Sequence, residues 1–206
     1  MKVNEYPPFT VIMRNYSFEQ VIAIAQAIEG FEKYFAIEVT LNTTGATKMI
    51  HDLVEQHGTD LKVGAGTVIT LDDAKEAIKN GAQFLLGPKE FTSDIFSLAK
   101  EHHVVTVPAG MTPTEIVRQI GLGADIVKVF PATTVRPDFF KAVQAPLGKL
   151  RLMAVGGVSA SNAKDFLNSG ADYLGIGSSM FTSNDLNSLN KMGLRTSLEQ
   201  YIKLIH

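Results

Sequence analysis

A lysine sits inside the run GADIVKVFPA at residues 123–132, whose β-branched and aromatic residues otherwise read as a strand leaving a Gly-Ala-Asp turn. Alternation with a period of two puts Ile126, Lys128 and Phe130 on one face and Val127 and Val129 on the other. A buried ammonium must be paired, neutralised or put to use, because an uncompensated ion in a core is strongly destabilising. The run FAIEVTL at residues 35–41 carries a carboxylate in the same manner. There Ala36, Glu38 and Thr40 form a small and polar face, opposite the apolar Ile37, Val39 and Leu41. A desolvated lysine gives up its proton readily and becomes a nucleophile toward a carbonyl carbon, and a nearby carboxylate can move protons during the same reaction. Lys128 and Glu38 are thus candidates for catalysis if both faces turn into one interior. A carboxylate beside the amine also pulls its pKa up, so Glu38 is expected either to act through water or to be protonated for part of the cycle.

The elements that would position such a pair recur along the whole chain. Eight β-type runs, FTVIMR, FAIEVTL, KVGAGT, FLLGP, VVTVPA, IVKVFPA, RLMAVGG and YLGIGSS, alternate with amphipathic segments. In SFEQVIAIAQAIEG, Ser17 and Gln20 form a capping box, Phe18, Val21, Ile22, Ala25 and Ile28 share a face, and Gly30 closes the helix. In TPTEIVRQIG, Thr112 is the N-cap, Pro113 takes the first helical position and Glu115 completes the box. The triplets NGA, LGA and SGA at 80–82, 122–124 and 169–171 read as helix-to-strand turns. Eight strand–helix units in series predict a parallel sheet, closed most simply as an α/β (β/α)8 barrel in a single domain spanning residues 1–206. The alternative is an open doubly wound sheet. No turn carries its G-x-G-x-x-G fingerprint, and GAGTVIT matches only the first two glycines.

A barrel places function at the C-terminal ends of its strands. Those ends hold Arg14, Glu38 to Asn42, Gly66 and Thr67, Pro88, Pro108, Lys128 to Pro131, Gly156 and Gly157, and Gly177 to Ser179. Strands 2 and 6 stand opposite each other in an eight-stranded barrel, so Glu38 and Lys128 are expected to meet across the interior. The glycines of AVGGVSASN and GIGSSMF end strands 7 and 8, where exposed backbone N–H groups can cradle an anion and barrels commonly bind phosphate.

Composition narrows the partners. A net charge of −2 without a dense basic run argues against nucleic acid or an acidic membrane, and 45% apolar residues describe an ordinary globular chain. The absence of cysteine excludes thiolate ligands and a thiol nucleophile. No apolar run approaches the roughly 20 residues of a membrane span, and MKVNEYPPFT has no apolar signal core, so a cytoplasmic protein is expected. His51, His57, His102, His103 and the terminal His206 do not converge on a strand end, so no metal is expected. Phe139 and Phe140 read as helix packing. Leu198, Tyr201, Ile202 and Ile205 form a stripe that docks on the barrel or on a neighbouring subunit.

EVTLNT, VGAGTV, the GP at 87–88, IVKVFPA, VGGVSASN and GIGSS, in this order and spacing, resemble the bacterial 2-keto-3-deoxy-6-phosphogluconate (KDPG) and 4-hydroxy-2-oxoglutarate (KHG) aldolases with their phosphogalactonate relatives. The resemblance spans essentially the whole barrel. It implies a metal-free, cofactor-free Schiff-base lyase, usually a homotrimer, that cleaves a 2-keto-3-deoxy sugar acid phosphate to pyruvate and glyceraldehyde 3-phosphate. It also implies that Lys128 forms the imine and Glu38 is the acid/base. By the same likeness Thr67, Pro88 and Phe130 line the pyruvate end, Arg14 contacts substrate, and Gly156, Gly157, Gly177, Ser178 and Ser179 hold the phosphate. Two departures bear on substrate choice. Asn42 replaces the arginine of EVTLRT, as in the phosphogalactonate relatives, and LGPKEF puts Lys89 beside the site. The rivals are a sugar-phosphate isomerase or epimerase on the same fold, which needs no imine-forming lysine, and a sugar-acid-phosphate binding protein, which gains nothing from burying Lys128 and Glu38.

Overall fold

The computed structural model describes residues 1–205, so His206 lies outside the described residues. The eight strands are β1 (Phe9–Met13), β2 (Phe35–Thr40), β3 (Lys62–Gly66), β4 (Phe84–Leu86), β5 (Val105–Val107), β6 (Val127–Val129), β7 (Leu152–Val155) and β8 (Tyr173–Ile176). All pair in parallel, in the order β5-β4-β3-β2-β1-β8-β7-β6. An isolated parallel bridge between Ala109 and Lys128 joins the two ends and closes the barrel.

The helices among the described residues are α1 (Phe18–Ile28), α2 (Ala46–His57), α3 (Leu71–Lys79), α4 (Ser93–Glu101), α5 (Pro113–Leu122), α6 (Ala132–Val135), α7 (Asp138–Leu147), α8 (Ala163–Asn168), α9 (Ser183–Asn187) and α10 (Lys191–Ile202). Both capping boxes read from the sequence form, and Thr70 with Asp73 makes a third at the start of α3. Two of the last three strands depart from a one-to-one alternation. β6 is followed by the four-residue α6 and then α7, and β8 by the five-residue α9 and then α10, while β7 keeps one helix, the six-residue α8.

The three Gly-Ala turns do more than reverse the chain. Gly81, Gly123 and Gly170 all take positive φ, between 90° and 108°, which glycine adopts without penalty. The polar residue that follows each turn then reaches the first amides of the preceding strand. Gln83 Oε1 accepts from Val63 N at 3.0 Å, Asp125 Oδ2 from Thr106 N at 2.9 Å, and Asp172 Oδ2 from Leu152 N at 3.4 Å. These bonds satisfy donors that strand pairing leaves open at the N-terminal end of the barrel.

Two apolar clusters follow from the strand alternation. Phe9, Val11, Met13, Ile37, Val39, Val127 and Val129 face outward beneath the helices. Ile12, Ala36, Phe84, Leu86, Val105, Val107, Ile126, Met153 and Val155 fill the interior. Tyr6, ahead of β1, plugs the lower end, with edge-on rings of Phe84 and Tyr173 at 5.0 and 5.5 Å and its hydroxyl 2.8 Å from Thr10 Oγ1. The C-terminal stripe docks on the barrel itself: Leu198 and Tyr201 are buried, and the Tyr201 ring lies 5.8 Å from Phe9. Ile205 lies beyond α10 and remains exposed. Phe140 is buried against Phe166, with ring centroids 5.6 Å apart. No helix among the described residues is long and apolar enough to cross a membrane.

Candidate active site

The interior narrows to small or polar side chains toward the C-terminal ends of the strands. Ile12 on β1 pairs with Glu38 on β2, and Glu38 pairs with Gly64 on β3, so alternation sends Arg14, Thr40 and Gly66 inward one step higher. Across the barrel Lys128 pairs with Met153, an interior residue. Glu38 is 2% exposed and Lys128 5%, which makes them the two buried titratable groups on the interior face of the upper barrel. They do not form an ion pair within 4.0 Å, and Glu38 Oε2 is buried without a hydrogen-bond partner.

Electrostatics follows from this burial. Desolvation pushes the Glu38 carboxyl up to about 7, against the pull of the Lys128 and Arg14 charges, which favour its ionised form. Lys128 is held below the ordinary lysine range, first by burial and further by Arg14, while Glu38 works in the opposite direction. The Phe130 ring lies beside the amine, its centroid 5.2 Å from Nζ. An amine that readily becomes neutral, and a carboxyl that readily gains or loses its proton near neutrality, suit imine formation followed by proton transfer.

The remaining strand-end residues frame this pair. Arg14 and Asn42 are exposed at the rim, and a hydroxyl clasp fixes the turns that carry them. Thr40 and Thr43 hydroxyls lie 3.0 Å apart, Asn15 N donates to Thr43 Oγ1 at 2.9 Å, and Thr40 Oγ1 donates to Met13 O at 3.4 Å. Thr67 directly follows β3 with φ of +58°, an unfavourable conformation for a β-branched residue and one that concentrates at functional sites. Pro88, Lys89, Met111 and Phe130 line a cleft of about 500 Å³ at the ends of β4 to β6, so Lys89 and Phe130 share its walls. A larger cavity of about 1110 Å³ opens at the N-terminal end, but no titratable residue lining it is buried, so the chemistry and not the volume locates the site.

The glycine turns after β7 and β8 stand side by side. Gly156 and Gly157 have φ of +97° and +73°, and a Cβ on Gly157 would come within 2.6 Å of Thr133, so neither turn conformation nor space suits a larger residue. Ser179 Oγ donates to Val158 O at 2.6 Å and ties the two turns together, which commits its hydroxyl proton to the chain. The backbone N–H groups of Gly157, Gly177, Ser178 and Ser179 have no acceptor within the described chain. Unclaimed donors clustered in this way suit an anion.

His51 and His57 lie in α2, and His102 and His103 between α4 and β5, away from the C-terminal strand ends. Among the described residues no three His, Asp or Glu side chains come close enough to hold a metal. Sequence reading gave no role to Thr43 or Tyr6, and it named Gly66 only as a strand end. The signal for Thr43 is its contact with Asn15 and that for Gly66 is the Glu38 carboxylate lying over it, and both contacts are made only in the tertiary structure.

A model of the KDPG and KHG aldolases matches residues 5–193. The chain belongs to this aldolase family. A probable 2-dehydro-3-deoxy-6-phosphogalactonate aldolase of Rhizobium meliloti (strain 1021) is 32% identical over 177 residues, covering 84% of this chain and 82% of its own length. Among solved structures, a native KDPGal structure superimposes with a TM-score of 0.85 at 24% identity, covering 96% of both chains. The KDPG aldolase of Legionella pneumophila, with pyruvate captured as a covalent carbinolamine, gives 0.83 at 22% identity over 95% of this chain and 94% of that one. At these identities the two structures establish the (β/α)8 barrel that the aldolase family shares.

Proposed function

We propose that the protein is a Schiff-base aldolase that reversibly cleaves a 2-keto-3-deoxy-6-phosphosugar acid to pyruvate and glyceraldehyde 3-phosphate. The observation that carries this reading is the burial of an amine and a carboxyl in one barrel interior, with neither neutralising the other through an ion pair. Neutral Lys128 Nζ attacks the C2 carbonyl to form a carbinolamine, and its hydroxyl leaves as water with a proton from Glu38, which leaves a protonated imine and an ionised carboxylate. Glu38 then takes the proton of the C4 hydroxyl. The C3–C4 bond breaks, its electron pair moves into the imine to give an enamine, and C4 leaves as the aldehyde. Glu38 returns the proton to C3, and water hydrolyses the resulting imine to release pyruvate and the free amine. With its pKa near 7, Glu38 is available in both of the states this cycle uses. The carbinolamine trapped in the Legionella relative supports a covalent keto-acid intermediate here.

In this reading Thr67, Pro88 and Phe130 enclose the pyruvate half, and Arg14 and Asn42 meet substrate polar groups at the rim. The amides around Gly156, Gly157, Gly177, Ser178 and Ser179 take the phosphate. Asn42, and the phosphogalactonate name of the Rhizobium relative, favour the galactonate form among the accepted substrates. The expected assembly is a homotrimer in the cytoplasm, on family resemblance. Incubation with pyruvate and borohydride, followed by intact-mass measurement and peptide mapping, tests the central step. An adduct on Lys128 is expected, and labelling confined to another lysine, or none at all, would refute the mechanism.

A further inference from the structure

Glu38 does not stand upright in the barrel. An ideal Cβ built on Gly66 would lie 1.6 Å from Glu38 Oε1, 2.4 Å from Cδ and 2.7 Å from Cγ, all inside the 3.0 Å that real Cβ atoms respect. The carboxylate of β2 is therefore laid across the bare backbone of β3, over the space a side chain at 66 would occupy. Gly66 is paired with Thr40 in the ladder and its φ lies outside the left-handed region, so the backbone there would tolerate alanine. What excludes a methyl group is the carboxylate of Glu38. Two positions earlier Gly64 also faces inward, but a Cβ there would strike the Phe84 ring at 2.3 Å, an apolar contact below the chemistry. β3 thus has one glycine that serves packing and another that serves the acid/base.

We infer that Gly66 is a positioning residue, whose missing side chain seats the Glu38 carboxylate against β3 and so sets its place relative to the amine of Lys128. The inference rests on the aldolase reading for its catalytic meaning, while the contact itself does not. Leaning on β3 keeps the carboxylate beyond ion-pair distance of Lys128 and leaves Oε2 without a protein partner. A methyl group at 66 forces the carboxylate off this seat, and the acid/base is then misplaced although every reacting group is still present.

The test is a cycle of Gly66→Ala, Glu38→Ala and the double variant, read by cleavage rate, by borohydride trapping of pyruvate on Lys128 and by thermal melting. Gly66→Ala is expected to slow cleavage by about 100-fold or more, the scale of losing an acid/base, with trapping within about 10-fold of native. In the Glu38→Ala background the same methyl group has room, so it should change the residual rate by no more than about 3-fold and leave the melting temperature unlowered. Equal losses from Gly66→Ala in both backgrounds would overturn the inference. So would near-native cleavage by Gly66→Ala. If Gly66→Ala alone does not fold, the double variant is still expected to fold, and a double variant that fails as well refutes the contact. Absence of any pyruvate adduct on the native protein would instead defeat the aldolase reading, and melting would still report whether positions 38 and 66 are coupled.

Discussion

Lys128 and Ala109 form the bridge that closes the barrel, and the residue proposed to carry the imine therefore lies on the seam between β5 and β6. Lys128 N donates to Pro108 O at 2.9 Å, and its carbonyl accepts from Gly110 N at 3.0 Å. On its other side the register with β7 pairs Lys128 with Met153. Closure uses the backbone of residue 128 and leaves its side chain for the interior.

This separation predicts that Lys128→Met abolishes turnover while the barrel still closes. A methionine of similar length removes a buried amine and keeps the ladder, so thermal stability should equal or exceed that of the native protein. Activity assays with melting curves check both halves of the statement. Retention of near-native cleavage by this variant would exclude the imine.

Glu38→Gln keeps the shape of the side chain and removes its proton chemistry. Turnover should fall by about 10² to 10⁴, while pyruvate trapping on Lys128 is affected less. A parallel collapse of trapping and cleavage would mean that Glu38 chiefly activates the lysine.

The raised pKa of Glu38 also predicts how stability varies with pH. The carboxyl binds its proton more tightly in the folded chain, about 7 against 4.5, so between these values the folded state holds more protons than the unfolded one. Raising pH through this window therefore lowers stability, by an amount on the order of 3 kcal/mol when complete. Glu38→Gln lacks this term and should gain stability over the native protein as pH rises from about 4.5 to 7. Urea unfolding of both proteins at several pH values measures it, and a native advantage that grows with pH would contradict the assignment.

Asn42 at the rim offers one neutral donor and one acceptor where a guanidinium would grip an anion with two prongs. Relaxed discrimination at C4 follows. The gluconate and galactonate forms of the 2-keto-3-deoxy-6-phosphosugar acid should be cleaved with kcat/KM within about 10-fold of each other, about 1.4 kcal/mol in transition-state binding. Comparing both epimers in the native protein and in Asn42→Arg is a direct check, and a native preference for the gluconate form beyond a thousandfold would end the argument.

Much of the fold was legible because it rests on local rules. Short β-type runs between helical patterns marked all eight strands, and the boxes at Ser17 and Thr112 marked helix starts, since a cap is an interaction among residues three apart. The turn glycines were legible for the same reason. The split of the connection after β6 into α6 and α7 was not, because a four-residue helix has too few positions to show a period.

For the site, sequence by itself determined which residues point inward, as the alternation around Lys128 and Glu38 fixes a face once a strand is granted. Tertiary structure alone decided what those faces meet. Register set Gly66 beside Thr40, one step above Glu38 on the same face, where the carboxylate lies over it; the turns after β1 and β2 brought Thr43 onto Asn15, and closure set Lys128 opposite Glu38 without pairing them. Such contacts join residues whose separation along the chain carries no signal, and desolvation, which brings the carboxyl near neutrality and lowers the amine, exists only once the barrel has closed around both.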